Sequence, residues 1–180
     1  MLRQIGLYGL LAALVVAIPM IGMTLTGTML HSGWGMAVGY TTMLVAFSTV
    51  FVGTKRYRDD EKGGVIGFWP AFGLGIGISV VASIGYVFAW EVSQAISGAD
   101  FVTDYSNELV RDAEAAGKSA AEIAAIRAEM AAFKLQYADP LFRLPMTFAE
   151  IFPVGVLVSL VSAGLLRNSR FLAARPVAAG

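Results

Sequence analysis

Apolar runs alternate with charged breaks along this chain, and four of the runs are long enough to be membrane-crossing helices. The first, residues 5–30, carries no charge. At about 1.5 Å per residue it exceeds a hydrocarbon core of roughly 30 Å. Arg3 followed by an apolar stretch also has the form of a signal peptide. The run is longer than a signal core, however, and a second span follows at once, so an uncleaved helix kinked at Pro19 is predicted. His31, Ser32 and Gly33 make a short turn before the second run, 34–53. That run stops at Lys55-Arg56-Tyr57-Arg58-Asp59-Asp60-Glu61-Lys62-Gly63-Gly64, which reads as a charged, turn-rich loop outside the membrane. The third run, about 66–97, holds one charge, Glu91, and places Pro70 in a first helical turn. Its Trp69 and Trp90 lie about 31 Å apart along a helix, which suits indoles at opposite interfaces. The fourth run, 141–166, has Arg143 near its start and Glu150 within it.

Residues 98–140 differ in kind, with eight acidic side chains and many alanines. A break is expected at Ala115-Ala116-Gly117-Lys118. Ser119 and Glu122 then have the spacing of a capping box, in which each satisfies a free N–H at a helix start. Ile123, Ile126, Met130, Phe133 and Tyr137 follow at spacings of three and four, giving one apolar stripe. The region is therefore expected to be a helical hairpin outside the membrane. The predicted fold is an all-α integral membrane four-helix bundle, with this hairpin between the third and fourth spans and a tail at 167–180.

Composition agrees. The 180 residues are 57% hydrophobic and 14% charged, where a soluble domain carries about a quarter charged. A net charge of zero makes no case for a nucleic-acid partner. The absence of cysteine rules out disulfides, thiolate metal sites and a cysteine nucleophile, and a single histidine cannot build a histidine metal cluster. No cofactor motif is present. The distribution of basic residues orients the chain. Arg3, Lys55, Arg56, Arg58, Lys62, Arg167, Arg170 and Arg175 fall on one side, and the remaining five, Arg143 included, on the other. The first side, with both termini, is expected to be cytoplasmic.

Small residues recur every four positions: Gly9, Ala13 and Ala17 in the first span, Gly35 and Gly39 in the second, Gly73 and Gly77 beside Gly75, Ser79 and Ser83 in the third, Gly155, Ser159 and Ala163 in the fourth. Such stripes serve close helix packing, for which Gly73, Gly77, Gly155 and Ser159 are the principal candidates; the alternative is a groove for a substrate. Gly73-Leu74-Gly75-Ile76-Gly77 lacks the spacing and the strand of a dinucleotide site. Glu91, Glu150 and Arg143 are the candidate functional residues, because carboxylates in spans are costly. Glu91 falls about 33 Å from Trp69, and Glu150 about 26 Å from Arg167, near the same boundary. They make either an outward-facing cation or proton site, or a rim ion pair such as Glu150 with Arg143. Pro153 loosens the helix just after Glu150. His31 reads as a solvated turn residue, and Asp59, Asp60 and Glu61 match no calcium loop. Their neighbours Arg56, Arg58 and Lys62 read as a solvated anchor near lipid headgroups.

Several strings resemble a known family. They are Gly39-Tyr40-Thr41-Thr42-Met43-Leu44, Phe51-Val52-Gly53, Arg56-Tyr57-Arg58-Asp59 and Gly63-Gly64, then Ile84 to Glu91, Tyr137-Ala138-Asp139-Pro140 and Phe152-Pro153-Val154-Gly155. Over nearly the whole chain they are similar to the domain-of-unknown-function family numbered four-one-nine-nine. The resemblance implies a bacterial inner-membrane protein with this helix order and a polar segment before the last span; it implies no activity.

The expected function is non-enzymatic and exercised by association in the lipid bilayer, as an accessory subunit, assembly factor or scaffold. A protein partner or self-association would use the spans and the 98–140 hairpin. The alternative is a small oligomeric transporter or channel working through Glu91 and Glu150.

Overall fold

An apolar run in lipid has no water to satisfy its peptide groups, so it folds as a helix. The computed structural model describes residues 1–26, 33–98 and 100–173, and the side chains among them apart from those of 33–37. Among these residues the chain is all helical, with no strand. Helix α1 spans Leu2–Thr26, α2 Gly33–Arg56, α3 Phe68–Ser97, α4 Phe101–Ala115, α5 Ala120–Tyr137 and α6 Pro140–Leu166. Three of these, α1, α3 and α6, are long and apolar enough to cross a membrane. That marks the chain as a membrane protein. The end of the first predicted span, His31 and Arg175 lie outside the described residues.

Helices α1 and α6 both pack on α2 and α3. Large apolar side chains point outward, among them Leu10 and Leu14 on α1, Leu44 and Val45 on α2, Ile84 and Phe88 on α3, and Leu157 and Val161 on α6. Lipid solvates those as well as protein does, so the helices are held by close approach and internal hydrogen bonds instead. Gly9 faces Val81 and Gly77 faces Ile5, so α1 meets α3 where a Cβ would lie 2.5 Å and 2.6 Å from those side chains. The α3–α6 crossing is reciprocal. Gly75 abuts Ser159 and Gly155 abuts Ser79, and each serine donates to the carbonyl of the glycine one turn before it. The two hydroxyls are fully buried and lie 3.2 Å apart. Gly73 lies off this crossing, its nearest neighbour being the Met1 side chain at 3.9 Å.

The 55–64 segment is less of a loop than its charges suggest. Helix α2 continues to Arg56 and passes directly into a π-helical turn, Tyr57–Glu61. Such a turn widens the helix and re-aims its side chains. Tyr57 and Arg58 thereby turn inward, so Arg58 is no solvated anchor. It is fully buried. Its Nε donates to Asp59 at 2.7 Å, and its two terminal nitrogens donate to the carbonyls of Phe171 at 2.9 Å and Leu172 at 2.7 Å. Lys55 donates to the other Asp59 oxygen at 2.5 Å. Burial opposes ionisation of Asp59, but the hydrogen bonds from Arg58 and Lys55 outweigh it and hold the carboxyl below its ordinary value.

Helices α4 and α5 pack together as a hairpin. Gly117, at a φ of +72°, reverses the chain, and Ser119 and Glu122 cap α5 reciprocally. Lys134 pairs with Asp100 and donates to Thr103, tying the far end of α5 to the start of α4. The hydrogen bond from Lys134, with those from Thr103, lowers the Asp100 carboxyl to about 2. The α5 stripe of Ile123, Ile126, Met130 and Phe133 is half-buried and ends at buried Tyr137. It forms part of the hairpin's own seam.

Candidate functional site

The hairpin meets the spans where α3 ends and α6 begins. Asp139 caps α6 by accepting the Leu141 N–H, and Pro140 fits the first turn, where its missing N–H has no helical partner. Arg143 follows within one turn. Its Nε and one terminal nitrogen donate to the two oxygens of Glu91, both at 2.7 Å, and its other terminal nitrogen donates to the Tyr137 carbonyl at 3.1 Å. The guanidinium also lies 5.7 Å from the centre of the Tyr137 ring. This planar, two-pronged pairing is the strong form of an ion pair.

Arg143 therefore pairs with Glu91, not with Glu150 as one expectation had it. The reason is helical geometry. Side chains on a helix tilt toward its N-terminus, so Arg143 reaches away from Glu150, seven residues onward, and toward the end of α3. Glu91 is consumed by this contact, and a transport path would have to rest on Glu150 alone. Both partners keep some exposure, 21% and 32%, so solvent weakens the pair. In a double-mutant cycle of Glu91→Gln and Arg143→Gln, followed by thermal unfolding in detergent, the expected coupling is about 1–2 kcal/mol. Additive losses would show that the pair contributes nothing of its own.

Trp90 precedes Glu91 and faces the hairpin rather than serving only as an interfacial anchor. Its indole N–H donates to the Tyr137 hydroxyl at 2.7 Å, and its ring meets Phe101 edge-on at 5.0 Å. Phe101 in turn stacks on Tyr105 and touches Tyr137, which packs against Phe133. Burial acts first on the Tyr137 hydroxyl and raises it above its ordinary value, against the opposing pull of Trp90 and Arg143.

Beneath these rings lies a cavity of about 440 Å³ between α3, α4, α5 and α6. Its aromatic walls are Tyr86, Trp90, Phe101, Tyr105, Phe133 and Tyr137, and Glu150 is the ionisable carboxyl on its rim. Glu150 faces the buried Tyr86 hydroxyl. Among the described residues its carboxylate has no basic partner. The structure thus separates the two candidate carboxylates by role, one locked in a pair and one open to a cavity. Gly75 and Ser79 join Gly155 and Ser159 at the crossing below. The aromatic residues are the part that sequence reasoning missed. They come from three helices, and Trp90, Phe133 and Tyr137 stood out beforehand only for other reasons.

A family model described as "Protein of unknown function (DUF4199)" matches residues 7–168. No curated protein matches the chain, and no solved structure does.

Proposed function

The chain belongs to the DUF4199 family, and because that family is one of unknown function we propose a role from the site itself: a non-enzymatic membrane protein that binds a molecule at the junction of hairpin and spans. In this reading α2 is a fourth span beside α1, α3 and α6, supported by its exposed Leu44, Val45 and Val52. Both termini lie on the cytoplasmic side of a bacterial inner membrane, in keeping with the placement of the basic residues. The hairpin then stands over the outer face.

The observation that carries the reading is the allocation of charge near the spans. Arg143 is taken by Glu91, and Arg58 by Asp59 and two carbonyls. Glu150 is left open, and it sits on a cavity of a size common to small-molecule sites, roughly 300–1,000 Å³.

The chain contains no cysteine, so single cysteines report topology cleanly. With an impermeant maleimide on intact cells, Ala131→Cys is expected to label, while Lys62→Cys and Ser169→Cys label only after permeabilisation. Labelling of Ala131→Cys and Lys62→Cys from the same side would overturn the four-span arrangement. Native mass spectrometry of gently extracted protein tests the binding role, with a small-molecule adduct of defined mass as the expected result. A stoichiometric protein partner would make the chain an accessory subunit instead, and a bare homo-oligomer would favour transport through Glu150.

A further inference from the structure

We propose that the cavity under the hairpin binds an organic ammonium group, with Glu150 as its counter-ion and the aromatic rings as its walls. This deepens the binding role proposed above and rests on it.

The chemistry of the walls selects the ligand. Aromatic faces carry negative electrostatic potential and attract cations, most strongly where water is excluded. Six aromatic side chains line this space. The rings form a continuous set, with centroids 5.0–6.0 Å apart from Trp90 through Phe101 to Tyr105 and Tyr137, and 5.5 Å from Tyr137 to Phe133. Among the described residues, no basic side chain lines the cavity. The nearby guanidinium of Arg143 is neutralised by Glu91 and lies against Tyr137. An incoming positive charge therefore meets one carboxylate without a basic partner, set among six aromatic side chains.

The same inventory argues against a small metal cation. Calcium takes six to eight oxygen ligands and magnesium a near-ideal octahedron. This cavity offers one carboxylate and, besides it, only the neutral hydroxyls of Tyr86, Tyr105, Tyr137 and Thr147, too little charge for a divalent ion. A bulky, weakly hydrated ammonium bearing methyl groups loses little hydration on entry and fills such walls, and recognition of quaternary ammonium by aromatic cages uses these elements. The hairpin serves as the lid. Phe101 and Tyr105 come from α4 and Phe133 and Tyr137 from α5, so the cage is complete only with the hairpin seated, which the hydrogen bonds of Trp90 to the Tyr137 hydroxyl and of Arg143 to the Tyr137 carbonyl secure. The ammonium can belong to a free amine or to a lipid headgroup.

The test uses the full chain carrying Trp34→Phe and Trp69→Phe, leaving Trp90 as the sole fluorescent indole in the cage. The protein is reconstituted in phosphatidylglycerol nanodiscs and titrated with choline and with its uncharged isostere 3,3-dimethyl-1-butanol. The expected result is a saturable Trp90 response to choline, at least roughly tenfold tighter than to the isostere. Glu150→Gln is expected to weaken choline by at least roughly tenfold and the isostere hardly at all. Phe133→Leu keeps the apolar bulk and removes one π face, and is expected to weaken choline severalfold while the melting temperature holds. In phosphatidylcholine nanodiscs, loss of the choline response identifies the lipid headgroup as occupant; an unchanged response identifies a free amine. Equal affinity for choline and the isostere, or unchanged choline affinity in Glu150→Gln, overturns the ammonium assignment but leaves a binding cavity. No Trp90 response to either compound overturns the binding role as well.

Discussion

Replacing Arg58 with alanine is expected to cost on the order of 3–5 kcal/mol, enough to leave little folded protein in detergent at 37 °C. The guanidinium is fully buried and makes three hydrogen bonds at 2.7–2.9 Å in three directions. Without it, Asp59 keeps only Lys55, and the carbonyls of Phe171 and Leu172 lose charged donors. A buried acceptor left unsatisfied retains its full desolvation penalty. The contacts also fold the chain after α6 back onto the π-helical turn, so Phe171 should leave Phe51, which it now meets edge-on. Arg58→Lys keeps the charge but cannot present a planar fork to three acceptors, and is expected to recover less than half of the loss. Arg56→Ala, at an exposed position, is expected to stay within about 0.5 kcal/mol of the parent. Unfolding in mixed micelles by increasing dodecyl sulfate measures all three. Near-identity of the Arg58 and Arg56 variants would show that the clamp is dispensable. The sign of the pH dependence follows from Asp59. Its folded carboxyl titrates below its ordinary value, so its stabilisation is complete above the unfolded pKa and is lost as the pH falls through the folded one.

That clamp also shows where sequence reasoning stops. The long apolar helices α1, α3 and α6 were legible because lipid imposes a long, nearly uncharged run, and the α5 start because Ser119 and Glu122 stand three apart. Arg58 was misread because its surroundings in sequence are charged, while two of its three acceptors lie more than a hundred residues away and are backbone carbonyls, which no side-chain pattern advertises. Glu91 and Arg143 were both singled out, since charges in apolar runs are conspicuous. Their pairing was not, because 52 residues separate them and the nearer Glu150 looked equally suitable. The α5 stripe was seen, but periodicity shows only that a face is covered and is silent on what covers it: here α4 and, through Phe133 and Phe142, the start of α6. The aromatic cavity is the extreme case. Each of its rings reads singly as ordinary core, and only the seating of α4 and α5 on α3 and α6 brings them to one carboxylate.

The glycine stripes split on the same point, and the split makes the second large prediction. Gly155→Val is expected to destabilise by about 3 kcal/mol and to separate α3 from α6. An added Cβ at Gly155 would lie 2.7 Å from both Cβ and Oγ of Ser79 and 2.8 Å from Phe47. The Ser79 Cβ is fixed by its backbone, so the helices rather than a side chain must move. Movement breaks the 3.2 Å contact between the Ser79 and Ser159 hydroxyls and uncovers fully buried Phe47. Overpacking of this kind costs about 1–3 kcal/mol in a soluble core. Here the upper end applies, because the crossing relies on close approach and has no hydrophobic drive to fall back on. Gly164, farther along α6 and with no heavy atom within 4 Å of an added Cβ, provides the opposite sign. Gly164→Ala should stabilise α6 by about 0.5–1 kcal/mol by reducing the freedom of the unfolded chain. A compensating pair separates packing from propensity. Gly155→Ala alone should destabilise, and adding Ser79→Gly should recover part of the loss by making room for the new methyl, despite the cost of a second helical glycine. Equal stability of Gly155→Val and Gly164→Ala would refute the reciprocal crossing.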